Sequence, residues 1–201
     1  MKKIMMMMCV ALCAMAFTNL HQDHFKVDTK KSSLKWIGSK VTGTHQGGIS
    51  IKEGTISLEH GELVGAQFTV DMTTITNTDI ESEEYSQKLE NHLKAEDFFD
   101  VGNHPAATFK MATATKTENG YMVNGNLTIK EHTQEISFEL AIQQRGNSLI
   151  ANGTMVFDRT QFDIIYGSGT FFGDLGDRAI SNDISIEFNV IAENKSNGKR
   201  N

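Results

Sequence analysis

Proline and tryptophan each occur once in these 201 residues and cysteine twice, and each scarcity narrows what the chain can be. With one proline, and no Pro-rich, Ser-rich or charged linker, nothing divides the chain, and its length suits a single well-filled domain. Both cysteines, Cys9 and Cys13, fall within "IMMMMCVALCAMAF", which follows Lys2 and Lys3 and ends in Ala14-Met15-Ala16. That is the basic, apolar, small-residue order of a secretory signal peptide, with cleavage expected near Ala16. The mature chain then has no disulfide, thiol nucleophile or cysteine metal ligand. Leu12 before Cys13 and Met8 before Cys9 are not the small residues that precede a lipid-modified cysteine. No apolar run reaches the roughly 20 residues of an ordinary transmembrane helix. The expected location is periplasmic or secreted. A surplus of positive charge is also missing: beyond residue 16 there are 17 basic and 25 acidic residues, a formal charge of −8. Such a surface repels phosphate backbones, which argues against nucleic acid as a partner.

What the sequence does have is period-2 alternation, the mark of strands buried on one face. It runs through "SLKWIGSK" (Leu34, Trp36), "GGISIKEG" (Ile49, Ile51) and "TISLEHGEL" (Ile56, Leu58), where "EHGE" reads as a hairpin turn. "LVGAQFTVDM" puts Val64, Ala66, Phe68, Val70 and Met72 on one face. "AATFKMATATK" follows, then the Asn119-Gly120 hairpin signal, "YMVNGNLTIK", "EISFELAI", "SLIANGTMVFD" and "AISNDISIEFNVIA". This makes about eight antiparallel strands. One stretch breaks the pattern: "TDIESEEYSQKLENHLK" has Tyr85, Leu89 and Leu93 at four-residue steps, with Glu84/Lys88 and Glu90/Lys94 pairs. It predicts an amphipathic helix over about residues 80–95, between the third and fourth strands, with Thr78 and Glu81 as a capping box. One-sided strands must roll up or stack. A closed barrel removes exposed edges and a β-sandwich meets the same burial requirement.

Catalytic and metal motifs are lacking. His21, His24, His60 and His132 are scattered, and no pair has HExxH or HxH spacing. "GSG" at 167–169 is not a nucleophile elbow. "YGSGTFFGDLGD" lacks the Lys-Ser/Thr of a phosphate loop and reads as a hairpin connection, with Phe171-Phe172 as a candidate flap over an opening. His45, in "TGTHQGG", is kept as a polar contact near a barrel mouth. In "NHLKAEDFFDVGNHPAATFK" the carboxylates Glu96, Asp97 and Asp100 have no facing acid cluster. Phe98 and Phe99 gain by burial, so this stretch is expected to plug one end of the barrel, with Pro105 starting the next strand.

The segments "DTKKSSLKWIGSKVTGTHQGGISIKEGTI", "HLKAEDFFDVGNHPAATF", "GNLTIKEHTQEISFEL", "FDRTQFDI" and "AISNDISIEFNVI" together resemble the YceI-like family of lipid/polyisoprenoid-binding proteins. The most specific match is the series Leu93, Asp97, Phe98, Phe99, Asp100, Pro105 and Phe109, and Gly125–Ile129 matches the family's G-x-L-T-I strand. Glu131 and Asp163 replace usual glycines, and "GSGTFFGDLG" is individual to this chain. The resemblance implies an all-β fold, a lipocalin-like antiparallel eight-stranded barrel, exported by bacteria, whose apolar interior holds a long isoprenoid or acyl chain. It divides the chain into signal peptide 1–16, polar lead-in 17–25, barrel 26–193 and polar tail 194–201.

An eight-strand barrel is wide enough to be filled by side chains or to hold one slim ligand. The residues expected to line a lumen are Trp36, Phe68, Val70, Phe109, Leu127, Phe138, Leu140, Phe157 and Phe188, with His45 near the mouth. No catalytic residue, metal ligand or cofactor is expected. The expected partner is a hydrophobic small molecule, and a homodimer is left open. Two rival readings remain: a barrel enzyme acting on a lipid or small hydrophobe, and a structural domain with a filled core.

Overall fold

A computed structural model describes residues 22–194. The expected signal peptide, most of the lead-in and nearly all of the tail lie outside the described residues.

The described residues form nine strands, joined almost entirely through hairpins: β1 (Gln22–Val27), β2 (Ser33–Lys40), β3 (Gly43–Glu59), β4 (Glu62–Asp71), β5 (Ala106–Lys116), β6 (Tyr121–Ile129), β7 (His132–Arg145), β8 (Ser148–Asp158) and β9 (Ile180–Glu193). Among the described residues one α-helix, α1 (Glu83–Lys94), lies between β4 and β5. From β2 to β9 each strand pairs antiparallel with the next, and β9 closes on β2 with Leu34 opposite Phe188 and Trp36 opposite Ile186. That closing pair makes a barrel of the sheet and excludes the sandwich, because a ring of strands leaves no edge to cover.

The ninth strand is half of an eighth position. β1 pairs with the far half of β3 (Phe25 with Ile56) and the end of β9 (Val27 with Ala192), while β2 pairs with the near half of β3 (Leu34 with Ile49). Both run the same way, so β1 and β2 are one barrel strand interrupted at residues 28–32. Ser32 secures the interruption: its hydroxyl donates to Asp28 O at 2.8 Å and accepts from Ile191 N–H at 3.0 Å. Residues 22–25, expected as polar lead-in, therefore belong to the barrel. Phe25 is fully buried, but one phenylalanine and Val27 are too short an alternation to register as a strand.

Two further expectations shift. Val64 does not join the inner face. Leu58 pairs with Leu63 and Ser57 with Gly65, leaving Val64 in a β-bulge and exposed, with Leu63 buried in its place. Beyond the bulge, Ala66, Phe68 and Val70 recover the inward parity. The helix starts at Glu83 rather than near residue 80, with Ser82 at its N-cap and no side-chain cap. The Thr78/Glu81 capping box does not form, because Asn77 holds this connection instead: its side-chain oxygen accepts from Ile80 N–H at 3.0 Å and its own N–H donates to Glu90 at 2.7 Å. Glu83 and Glu84 in the first turn favour the helix dipole.

Tight turns join strands at both ends: His60-Gly61, with both residues at positive φ, at one, and residues 41–42 and 130–131 at the other. The long β4–β5 and β8–β9 connections, carrying α1 and residues 159–179, both lie at the other.

The bulge is testable. Leu63→Ala is expected to cost about 2–5 kcal/mol, the range for a buried leucine. Val64→Ala should stay within about 0.5 kcal/mol. Urea unfolding of the two variants checks this, and equal losses would contradict the register.

Candidate functional site

Inside the ring is a cavity of about 500 Å³, within the range of small-molecule sites. Every strand position contributes to its wall. Trp36 comes from β2, His45 from β3, Phe68 and Val70 from β4, Phe109 from β5 and Leu127 from β6. Phe138 and Leu140 come from β7, Phe157 from β8 and Phe188 from β9. All ten candidate residues thus meet around one lumen. Phe68, Val70, Phe138 and Phe188 point inward and are still only partly buried, because the space before them is lumen rather than packed core. Phe138 packs tilted against Phe109 and edge-on to Phe188, at centroid distances of 5.4 and 5.6 Å, so three rings form one wall.

The hairpin end is closed. Leu58, Leu63, Leu149 and Ala192 are buried but do not border the cavity, so they form packed core beyond its floor. At the other end, α1 and the turns after it form the expected plug. Leu89, Leu93, Phe98 and Phe99 border the cavity, and Phe98 is 4% exposed. The acids of this stretch serve its backbone and histidines. Asp100 takes a positive φ, its carbonyl accepts from Asn103 and His104 N–H, and Asp97 lies 3.1 Å from His92.

Arg159 anchors the plug from below. Fully buried, its guanidinium donates to the carbonyls of Ser181, Ile164 and Ile180, and it lies 5.6 Å from the Phe98 ring centroid. Burial pushes its pKa down, and neighbouring Asp158 partly opposes this. Three carbonyl acceptors let this cation sit in the core without a hydrogen-bonded carboxylate. The sequence carried no signal for it.

The lining reaches solvent beside the plug, where Lys40, Tyr166, Asp177 and Arg178 are exposed. Tyr166 packs edge-on to His92 at 4.5 Å. His45 borders the same region, with Nδ1 2.9 Å from Asp79 Oδ2. Burial would raise the Asp79 carboxyl. Donation from Gln46 N–H, His45 and the Asn77 amide outweighs it and holds the group below the usual carboxylate value. Sequence reasoning missed Tyr166 and Arg178, which come from an irregular connection with no periodicity to read. Phe171 and Phe172, the candidate flap, are exposed at the tip of that connection and do not border the cavity. Among the described residues no group of three His, Cys, Asp or Glu side chains could hold a metal ion.

A family model described as YceI-like domain matches residues 25–192. A UPF0312 protein of Yersinia enterocolitica is 30% identical over 76 residues, 38% of this chain and 39% of that protein. A Yersinia pestis UPF0312 protein is 29% identical over the same length. The match thus spans about two fifths of these curated relatives. Among solved structures, Burkholderia cenocepacia BcnA aligns with a TM-score of 0.66 at 22% identity, covering 83% of this chain and 99% of its own. A polyisoprenoid binding domain from Saccharophagus degradans aligns at 0.62 and 15% identity, covering 87% and 99%. At these identities the likeness is one of fold.

Asp79→Asn should destabilise the protein by about 1 kcal/mol at pH 7, since charged acceptors hold their donors more strongly than neutral ones. The folded pKa of Asp79 is depressed, so its contribution is present above the unfolded value of about 3.9 and lost as pH falls through the folded value. Urea titrations from pH 7 to pH 3 should show the two proteins converging at the acid end. A gap that persists there would contradict this role.

Proposed function

Because the chain belongs to the YceI-like family, we propose that it is an exported, non-enzymatic carrier holding a long apolar molecule inside the barrel for transport or storage. The candidates are a polyisoprenoid, an isoprenoid quinone or a fatty acyl chain. The observation that carries this reading is the continuous lumen of about 500 Å³, walled by aromatic and aliphatic side chains from every strand position. A filled barrel would support only a structural role. Ten methylenes buried there at about 0.8 kcal/mol each amount to roughly 8 kcal/mol, near micromolar affinity before ordering costs. A chain could therefore be held without a covalent bond and released again.

The polar groups at the rim support orientation of a ligand: His45 and His92 are each engaged by a carboxylate. Export follows from the leader-like first 16 residues and gives a periplasmic or secreted protein after cleavage near Ala16. Protein expressed with its own first 16 residues should appear outside the cytoplasm, shortened by that segment; full-length protein confined to the cytosol would refute export.

Native mass spectrometry of the purified protein, beside a solvent extract of it, tests carriage. An apolar adduct is expected, and an empty barrel that also ignores prenyl probes would sink the proposal. Ala66→Phe, which places a ring in the lumen, should lower affinity for a bound chain at least tenfold while leaving the fold intact by circular dichroism.

A further inference from the structure

Four aromatic rings that border the lumen each lie against a glycine of the neighbouring strand. Trp36 is the register partner of Gly47, Phe68 of Gly54 and Phe188 of Gly153. Phe109 sits diagonally from Gly125, whose own partner is Met111. A Cβ at Gly47 would stand 2.7 Å from Trp36 Nε1, at Gly54 2.6 Å from Phe68 Cδ1, at Gly125 2.5 Å from Phe109 Cζ and at Gly153 2.8 Å from Phe188 Cζ. At Gly54 and Gly125 the ring comes nearest to the place of the missing side chain; at Gly47 and Gly153 it shares that place with the carbonyl oxygen of Thr76 and of Glu139. Each ring thus packs on the barrel wall instead of projecting across the lumen. Glycine weakens a strand and often marks a close approach. Four such approaches, all by lumen-lining rings, share one consequence: they keep the bore open.

The bore they leave is finite. At roughly 30 Å³ per heavy atom, the share of one water in the liquid, the cavity of about 500 Å³ admits about 17 carbons. Packed core closes the hairpin end beyond it, so extra length can leave only past the rim at Lys40 and Arg178.

We infer that these aromatic–glycine pairs set the length of hydrocarbon the barrel takes in, a linear segment of about 17 carbons, and that longer chains leave their remainder outside. This deepens the carrier reading and rests on it. The shared chemistry is a slim hydrocarbon tail, acyl or prenyl.

The test uses delipidated mature protein and unbranched fatty acids of 10 to 24 carbons, each displacing a bound fluorescent fatty acid. Affinity should rise about fourfold per methylene and level off near 17 carbons. Phe188→Ala removes six ring carbons and should move the break upward by about six carbons at the same volume per atom. Phe188→Leu, the milder change, should move it by about two or three. Gly54→Ala meets only side-chain atoms of Phe68 and Val27, so it should push the Phe68 ring inward and lower the break by about one or two carbons. Gly47, Gly125 and Gly153 also face backbone carbonyls and are not used. Thermal unfolding verifies that each variant is folded. A break at the same length in every folded variant, or affinity still climbing at 24 carbons in the unaltered protein, would overturn this inference and leave the carrier reading standing. Failure of every fatty acid and prenyl probe to bind the unaltered protein would overturn the carrier reading and this inference with it.

Discussion

Closure of β9 on β2 is the constraint on which the rest depends. Once the sheet is a ring, each strand must turn one face inward, and the enclosed width follows from the number of strand positions rather than from any single side chain. The inward residues can then fill the bore or line it. Here they line it, and the difference lies in small residues: a larger side chain at Gly54 or Gly125 would first meet a ring of the wall, and one at Gly47 or Gly153 would meet both a ring and a backbone carbonyl. Hydrophobic burial still drives folding, because the rings and aliphatic chains leave water for one another around the wall and for solid core at the hairpin end.

An open bore needs a controlled end. Hairpins of two to four residues cannot cap a barrel, so that end is closed by packed leucines. The long β4–β5 and β8–β9 connections do the work at the other end. α1 presents Leu89 and Leu93 to the cavity, and Phe98 follows them, wedged over Arg159. A buried guanidinium is costly unless its donors are met. Three backbone carbonyls, of Ile164, Ile180 and Ser181, meet them here and tie the β8–β9 connection to the start of β9, while the Phe98 ring of the β4–β5 connection packs against the guanidinium. The aromatic pair that follows the helix is thus a structural plug, and the acids around it satisfy the turn and the histidines beside it.

Much of this was legible beforehand, for a local reason. Strand alternation is a property of successive residues, so Trp36, Phe109, Phe138 and Phe188 could be assigned to one face without knowing what that face meets. The same held for the four-residue spacing of Leu89 and Leu93 and for the burial of Phe98. What escaped was wherever periodicity breaks or is absent. The bulge at Val64 reverses parity for one residue, a slip that depends on the partner strand. β1 is too short to show a pattern, and Tyr166 and Arg178 reach the rim from a connection with no repeat at all.

By itself, then, the amino-acid sequence determined an antiparallel, one-sided set of strands, a single helix between the third and fourth barrel positions and an aromatic plug after it, because each of these depends on residues near in the chain. The tertiary structure alone decided that the ring encloses a lumen rather than a solid core, that four inward glycines lie beneath four rings, and that Arg159 can be buried. Those outcomes depend on which strands meet and in what register, and enclosed volume is a property of the closed ring that no stretch of sequence carries.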